Sequence, residues 1–153
     1  MKRILSLVLT VAVVLSLCII FAACQKNEQR LSFGDEYVHI DGEKTKKLVF
    51  NRDGTGYIHH YEKTDFAGGF ISVTRDFLWT ETSNGAIHLV PNGEPRYDEG
   101  SEEDDSVTRI NAPLYFSEDF IYYEFVSGAG GASTFRKRFF RHGSELYKAS
   151  YEN

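Results

Sequence analysis

The chain has 153 residues, a net charge of −5 from 17 basic and 22 acidic side chains, and two cysteines. That length suits a single domain, and the acidic balance excludes a general nucleic-acid binder, which needs a basic footprint. Two cysteines cannot build a disulfide-dense scaffold or a four-thiolate zinc site, while 42% hydrophobic and 25% charged residues describe a folded chain rather than a disordered one.

Lys2 and Arg3 open the chain, and an apolar run from Ile4 to Phe21 follows, broken only by Ser6, Thr10, Ser16 and Cys18. It ends in Ala22, Ala23 and Cys24, and the chain turns polar at once with Gln25, Lys26, Asn27 and Glu28. A charged start, an apolar stretch and small residues at its end are the pattern of a secretory signal peptide. The run is also close to the ~18 residues of a transmembrane candidate; the small residues and the cysteine favour the signal. Phe21-Ala22-Ala23-Cys24 resembles the lipobox of bacterial lipoproteins, with Phe21 in place of the commoner leucine. The resemblance implies a signal peptide over residues 1–23, cleavage, and lipidation of Cys24, with acyl chains sufficient for stable membrane anchoring. It implies a cell-envelope location, and Gln25 in place of a retaining aspartate points to the outer membrane. Cys18 would leave with the signal and Cys24 would carry lipid, so no thiol is left for redox or nucleophilic chemistry.

Residues 24–36 read as a lipidated tether and 37–153 as one β domain, whose first strand lies around Tyr37 to Ile40. No window beyond the tether sustains a helical period; short runs of Phe, Tyr, Val, Ile and Thr alternate with Gly, Asn, Asp and Pro. Lys47–Phe50 and Thr55–Glu62 flank Asn51-Arg52-Asp53-Gly54 and predict a hairpin, Asp-Gly supplying the positive φ of a tight turn. Phe70–Glu81 is the clearest strand: Ile71, Val73, Phe77 and Trp79 share one face with Arg75, opposite Ser72, Thr74, Asp76 and Thr80. Asn84-Gly85 turns the chain into Ala86–Val90.

A polar loop from Pro91 to Ser106 carries six clustered carboxylates and reads as solvated. Further strands are expected at Val107–Ile110, Leu114–Phe116, Phe120–Val126 and Thr134–Arg141, with a flexible loop at Gly128–Gly131 and a closing strand or frayed tail at Glu145–Tyr151. About eight short strands at hairpin spacing predict an all-β fold: an antiparallel up-and-down barrel, closed or half-open, with a β-sandwich as the alternative. Leu48-Val49-Phe50-Asn51-Arg52-Asp53-Gly54-Thr55-Gly56, then Phe77-Leu78-Trp79-Thr80 and Asn84-Gly85-Ala86-Ile87, resemble the small lipocalin-like lipoproteins of Bacteroides-type bacteria. The likeness covers Leu48 to about Val90 and implies a fold rather than a ligand.

Catalytic motifs are absent: no nucleophile elbow, zinc-protease, P-loop or EF-hand pattern occurs. His59 and His60 are adjacent on a strand and point to opposite faces, so they cannot chelate one metal together; the chain is read as non-enzymatic, without metal or cofactor. Asp105-Ser106-Val107 resembles the short O-glycosylation motif of Bacteroides-type envelope proteins, with Ser106 as acceptor. Tyr122 and Tyr123 are candidates for stacking on a sugar. The sharpest hint is a cation on each of two apolar faces: Arg75 between Val73 and Phe77, and Lys137 between Phe135 and Phe139. A cation inside a barrel is costly unless paired. The expected function is therefore a binding module for a small hydrophobic or anionic amphipathic ligand, lined by Ile71, Val73, Arg75, Phe77, Trp79, Phe135, Lys137 and Phe139. Alternatives are an interaction or accessory subunit of an outer-membrane complex that uses the barrel as scaffold, and, third, a hydrolase.

Overall fold

The computed structural model describes residues 31–152 except 65–67, 118 and 128–132; the signal peptide expected over residues 1–23, the expected lipidation site Cys24 and the loop expected at Gly128–Gly131 lie outside the described residues. Nine strands form one antiparallel sheet: β1 (Glu36–Asp41), β2 (Lys44–Phe50), β3 (Thr55–Lys63), β4 (Phe70–Glu81), β5 (Ile87–Pro91), β6 (Arg96–Tyr97), β7 (Tyr115–Ser117), β8 (Phe120–Ser127) and β9 (Ser133–Arg141). Their order is β5-β4-β3-β2-β1-β9-β8-β7, with the short β6 paired to β4 beside β5. The sheet curls into a nearly closed barrel of eight strands in up-and-down order, a lipocalin-like all-β fold. A single sheet whose first and last strands approach each other removes the sandwich alternative.

The two edges meet at one point. Ile87 N–H donates to the Leu114 carbonyl at 2.8 Å, and Leu114 N–H donates back at 2.9 Å. That exchange satisfies both backbones at the seam, and Ile87 and Leu114 are fully buried. Around the barrel, inward positions follow strict alternation: Tyr37 pairs with Leu48, Leu48 with Ile58, Ile58 with Arg75, and Ile121 with Phe139. Because side chains alternate with period 2, these residues all project inside.

The β2–β3 turn is built as its sequence requires. Gly54 has φ 83°, and the Asp53 carboxylate accepts from Thr55 N–H at 3.0 Å and from the Thr55 hydroxyl at 2.6 Å. The turn is clasped from β4: Trp79 N–H donates to the Gly54 carbonyl at 2.8 Å, and the Trp79 indole N–H is shared between the carbonyls of Asn51 (3.1 Å) and Thr55 (3.0 Å). Phe33 stacks on Trp79 with centroids 5.9 Å apart. Leu31, six residues ahead of Tyr37, joins the core cluster with Phe50, Phe77, Ile87 and Leu114. Aromatic side chains thus fill this end of the barrel.

Three expectations are corrected. Val107–Ile110 is not a strand: Asp105–Thr108 is a 3-10 turn, capped by Asp104, whose carboxylate accepts from Ser106 N–H at 2.9 Å and from its hydroxyl at 2.6 Å. A satisfied cap outweighs the β-preference of Val and Thr. Glu145–Tyr151 is neither strand nor frayed tail but a helix, α1, capped by Ser144, whose Oγ accepts from Tyr147 N–H at 3.1 Å. It lies on the outer face of β1 and β9, with Ile40 N–H donating to the Tyr151 hydroxyl at 3.1 Å and Tyr151 edge-on to Phe140.

The segment expected as a loop from Pro91 to Ser106 is largely exposed, as expected, but it contains the strand β6 and is tied to β4. Asp98, Glu102, Asp104 and Asp105 among its carboxylates accept hydrogen bonds. Ser72 hydroxyl donates to Asp98 at 2.5 Å, Asp98 N–H donates to Ser72 carbonyl at 3.0 Å, and Glu102 N–H donates to Phe70 carbonyl at 2.9 Å. Pairing with β4 overcomes the mutual repulsion of the acids and draws this segment along the open edge.

Candidate functional site

Between β4, β5 and the segment Thr108–Ala112 lies a cavity of about 470 Å³. Its size falls within the ~300–1,000 Å³ of small-molecule sites. Ile58, Phe77, Leu89 and Ile110 give it an apolar wall, and Arg75, Asp76, His88, Thr108, Arg109 and Asn111 are its polar lining. Among the described residues the two edges are bridged by Ile87 and Leu114, just ahead of β7, and the 3-10 turn packs on β3 and β4 beside the cavity.

Arg75 is the unusual group in this wall. Its side chain is only 13% exposed, its nearest carboxylate oxygen is Asp105 Oδ2 at 3.5 Å, and its buried Nε has no hydrogen-bond partner among the described residues. Asp105 is shared. It is gripped in two-point fashion by Arg109, at 2.8 and 3.1 Å, and the Arg109 guanidinium first, then Arg75, hold its carboxyl below the usual aspartate range. Asp104 also acts on Arg109, so what sets Arg75 apart is that its one ion-pair partner, at 3.5 Å, is a carboxylate shared with Arg109. Asp76, the other carboxylate at the rim, is committed to Arg96 through contacts of 2.5 and 2.9 Å.

The eight residues expected to line one site fall in different places. Arg75 and Phe77 line the cavity. Ile71 and Val73 are buried on the same inner face of β4, and Trp79 closes the aromatic end. Phe139 is fully buried in the core and packs on the His39 ring, 5.6 Å between centroids. Lys137 points inward from β9, half-buried, with three strands between it and Arg75. Phe135 is 49% exposed. The expected common lining is therefore corrected to an Arg75–Phe77 cavity, with Lys137 belonging to a different part of the barrel interior.

Ile58, Leu89, Ile110 and Arg109 were missed. Ile58 was legible from alternation in β3; Arg109 and Ile110 were not, because their segment reads as a strand. Tyr122 and Tyr123 do not make one stacking surface: Tyr123 packs inward at 6.2 Å from Phe139, while Tyr122 lies outside under the Arg136 guanidinium at 4.3 Å. Ser106 is exposed on the 3-10 turn with its hydroxyl directed at Asp104. His59 and His60 do face opposite ways: His59 bonds Thr74 at 3.0 Å outside, and His60 is buried within. Among the described residues no three His, Cys, Asp or Glu side chains converge on a metal position, and no helix is long and apolar enough to cross a membrane.

No protein-family model, no curated protein and no solved structure matches this chain.

Proposed function

We propose that this protein is a lipid-anchored envelope protein, held at the outer membrane through Cys24, whose barrel binds a small amphipathic anion without catalysing a reaction. The observation that carries the ligand is Arg75: a largely buried guanidinium, incompletely paired, set in the wall of an apolar cavity of about 470 Å³. A carboxylate or similar head group would complete the coordination of Arg75, and an alkyl or ring body would cover Ile58, Phe77, Leu89 and Ile110. An ionised partner in a low-dielectric wall binds more strongly than a neutral one. The anchor is supported by the Lys2-Arg3 start, the apolar run and Ala22-Ala23-Cys24. The scaffold reading has less support, because a cavity of small-molecule size lies between β4, β5 and Thr108–Ala112.

One mass-spectrometric comparison tests both halves. For the protein purified from membranes in a mild detergent, the denatured mass should match a chain starting at Cys24 and carrying acyl groups. The native mass should exceed it by one small acidic molecule. A denatured mass equal to the unprocessed chain would remove the anchor, and a native mass with no adduct, even after incubation with fatty acids, would remove the ligand.

A further inference from the structure

A second group of cations lies inside the barrel, away from the Arg75 cavity. Cross-strand register assembles it: His39 on β1 is paired with Lys46 on β2, and Lys46 with His60 on β3. All three are inward positions by alternation. Lys137 joins them from β9, two residues beyond Phe139, whose ring packs on His39. The groups facing this layer from the surrounding strands are Glu62 and Lys44 at the ends of β3 and β2, Asp41 at the end of β1, and Tyr123 on β8.

The charges in this layer do not balance. Glu62 is its nearest carboxylate, and it is already engaged by Lys44 and by His60 Nε2 at 3.2 Å. Neither Lys46 nor Lys137 has a carboxylate within ion-pair distance among the described residues. His60 is 5% exposed, and its Nδ1 is buried with no hydrogen-bond partner. His39 donates from Nδ1 to the Arg138 carbonyl at 2.8 Å, since a carbonyl can only accept. That leaves His39 Nε2 as a lone pair in the neutral ring and a donor once protonated.

Burial lowers the Lys46 ammonium to about 8, with the neighbouring Lys137 charge pushing the same way. Burial also lowers both His39 and His60. Two amines near each other on an inner face, without an anion, are a costly arrangement that a bound anion relieves. Both amines keep partial exposure, so solute can reach them.

The geometry points to an anion site formed by Lys46 and Lys137, flanked by His39 and His60, that takes a compact oxyanion such as a sulfate-like, phosphate-like or carboxylate group. It stands apart from the proposed ligand of the Arg75 cavity and does not require it. The amines supply charge and donors, and the imidazoles become additional donors when they protonate. Occupancy therefore strengthens as pH falls, first as Lys46 gains its proton below about 8 and further as the two histidines charge.

The test is calorimetric titration of the full-length protein in dodecyl maltoside with sodium sulfate, which stays doubly charged across the range studied. Sodium acetate serves as the carboxylate arm. One saturable site per chain is expected, weakening at least about fivefold as pH is raised through the Lys46 transition. Lys46→Met and Lys137→Met should each weaken it by about tenfold or more, Lys46→Arg should retain it within about threefold, and Lys148→Met, at a surface cation of α1, should leave it unchanged. Sulfate preference over acetate assigns a dianionic ligand, and the reverse assigns a carboxylate. Absence of saturable binding by both anions overturns the site, as does binding that survives both lysine substitutions or that is flat with pH. The pH profile is read on the unaltered chain, so the outcome does not depend on any variant folding.

Discussion

Gly56→Ala is expected to destabilise the barrel by about 3 kcal/mol or more, at or beyond the upper end of overpacking penalties. A Cβ built at Gly56 would sit 2.3 Å from the Val49 carbonyl oxygen and 2.4 and 2.5 Å from the Phe77 ring. Neither neighbour can yield easily. Val49 is held in the β2–β3 ladder opposite Tyr57, and Phe77 is 3% exposed and packed on Phe50 with centroids 5.4 Å apart. Urea unfolding should show a lower midpoint with an unchanged slope if the loss is purely one of native stability. Adding Phe77→Leu should rescue only part of it, because the carbonyl contact remains. A change smaller than about 1 kcal/mol would contradict the close approach of β2, β3 and β4 at this end.

Phe50→Ala should cost a comparable ~3–5 kcal/mol, as expected for removing a fully buried aromatic. Phe50 is 0% exposed and sits among Tyr37, Phe77 and Trp79, at centroid distances of 6.1, 5.4 and 5.9 Å. Its loss would open a cavity beside Trp79, so the near-ultraviolet circular dichroism of the indole should weaken along with the unfolding midpoint. Leu78→Ala is the matched control: Leu78 is 45% exposed on the outer face of β4, and the expected change is within about 0.5 kcal/mol. Equal losses at the two positions would contradict the assignment of inner and outer faces.

The strands that form the barrel wall were legible because two signals coincide in them. Period-2 alternation in Phe70–Glu81 gives β4 its inner face, and Asp53-Gly54 and Asn84-Gly85 fix the β2–β3 and β4–β5 turns, with φ of 83° and 78° at the glycines. The 3-10 turn was hidden because Val107 and Thr108 favour strands locally, while its formation depends on the Asp104 cap and on packing against β3 and β4. Helix α1 has seven residues, too few for a helical period to stand out, although Ser144 is a readable N-cap signal.

The inward orientation of Arg75 and Lys137 was readable from alternation alone. That they serve different parts of the interior was not. Whether two inward residues with three strands between them meet depends on strand tilt and shear around the barrel, and on where the seam closes, which here is set by the Ile87–Leu114 bridge. The cavity itself follows from that seam, and one strong backbone bridge between two edges carries no sequence signature. The partners of Arg75 were equally hidden, since Asp105 reaches it only because β6 and the following turn are drawn along β4.

Arg75 is the proposed counter-ion of the amphipathic ligand, and its charge is what would select an acid over an alcohol of the same chain length. The direct test is calorimetric binding of decanoate and decanol to residues 31–153, which carry every described element, in the unaltered sequence and in Arg75→Met. Methionine keeps the apolar stem, and Asp105 keeps Arg109 as its partner. Decanoate should bind one to one and at least about tenfold tighter than decanol, a difference of roughly 1.4 kcal/mol, and Arg75→Met should bring the two within about twofold. Equal affinities for acid and alcohol in the unaltered sequence, or a preference for decanoate that survives Arg75→Met, would contradict it.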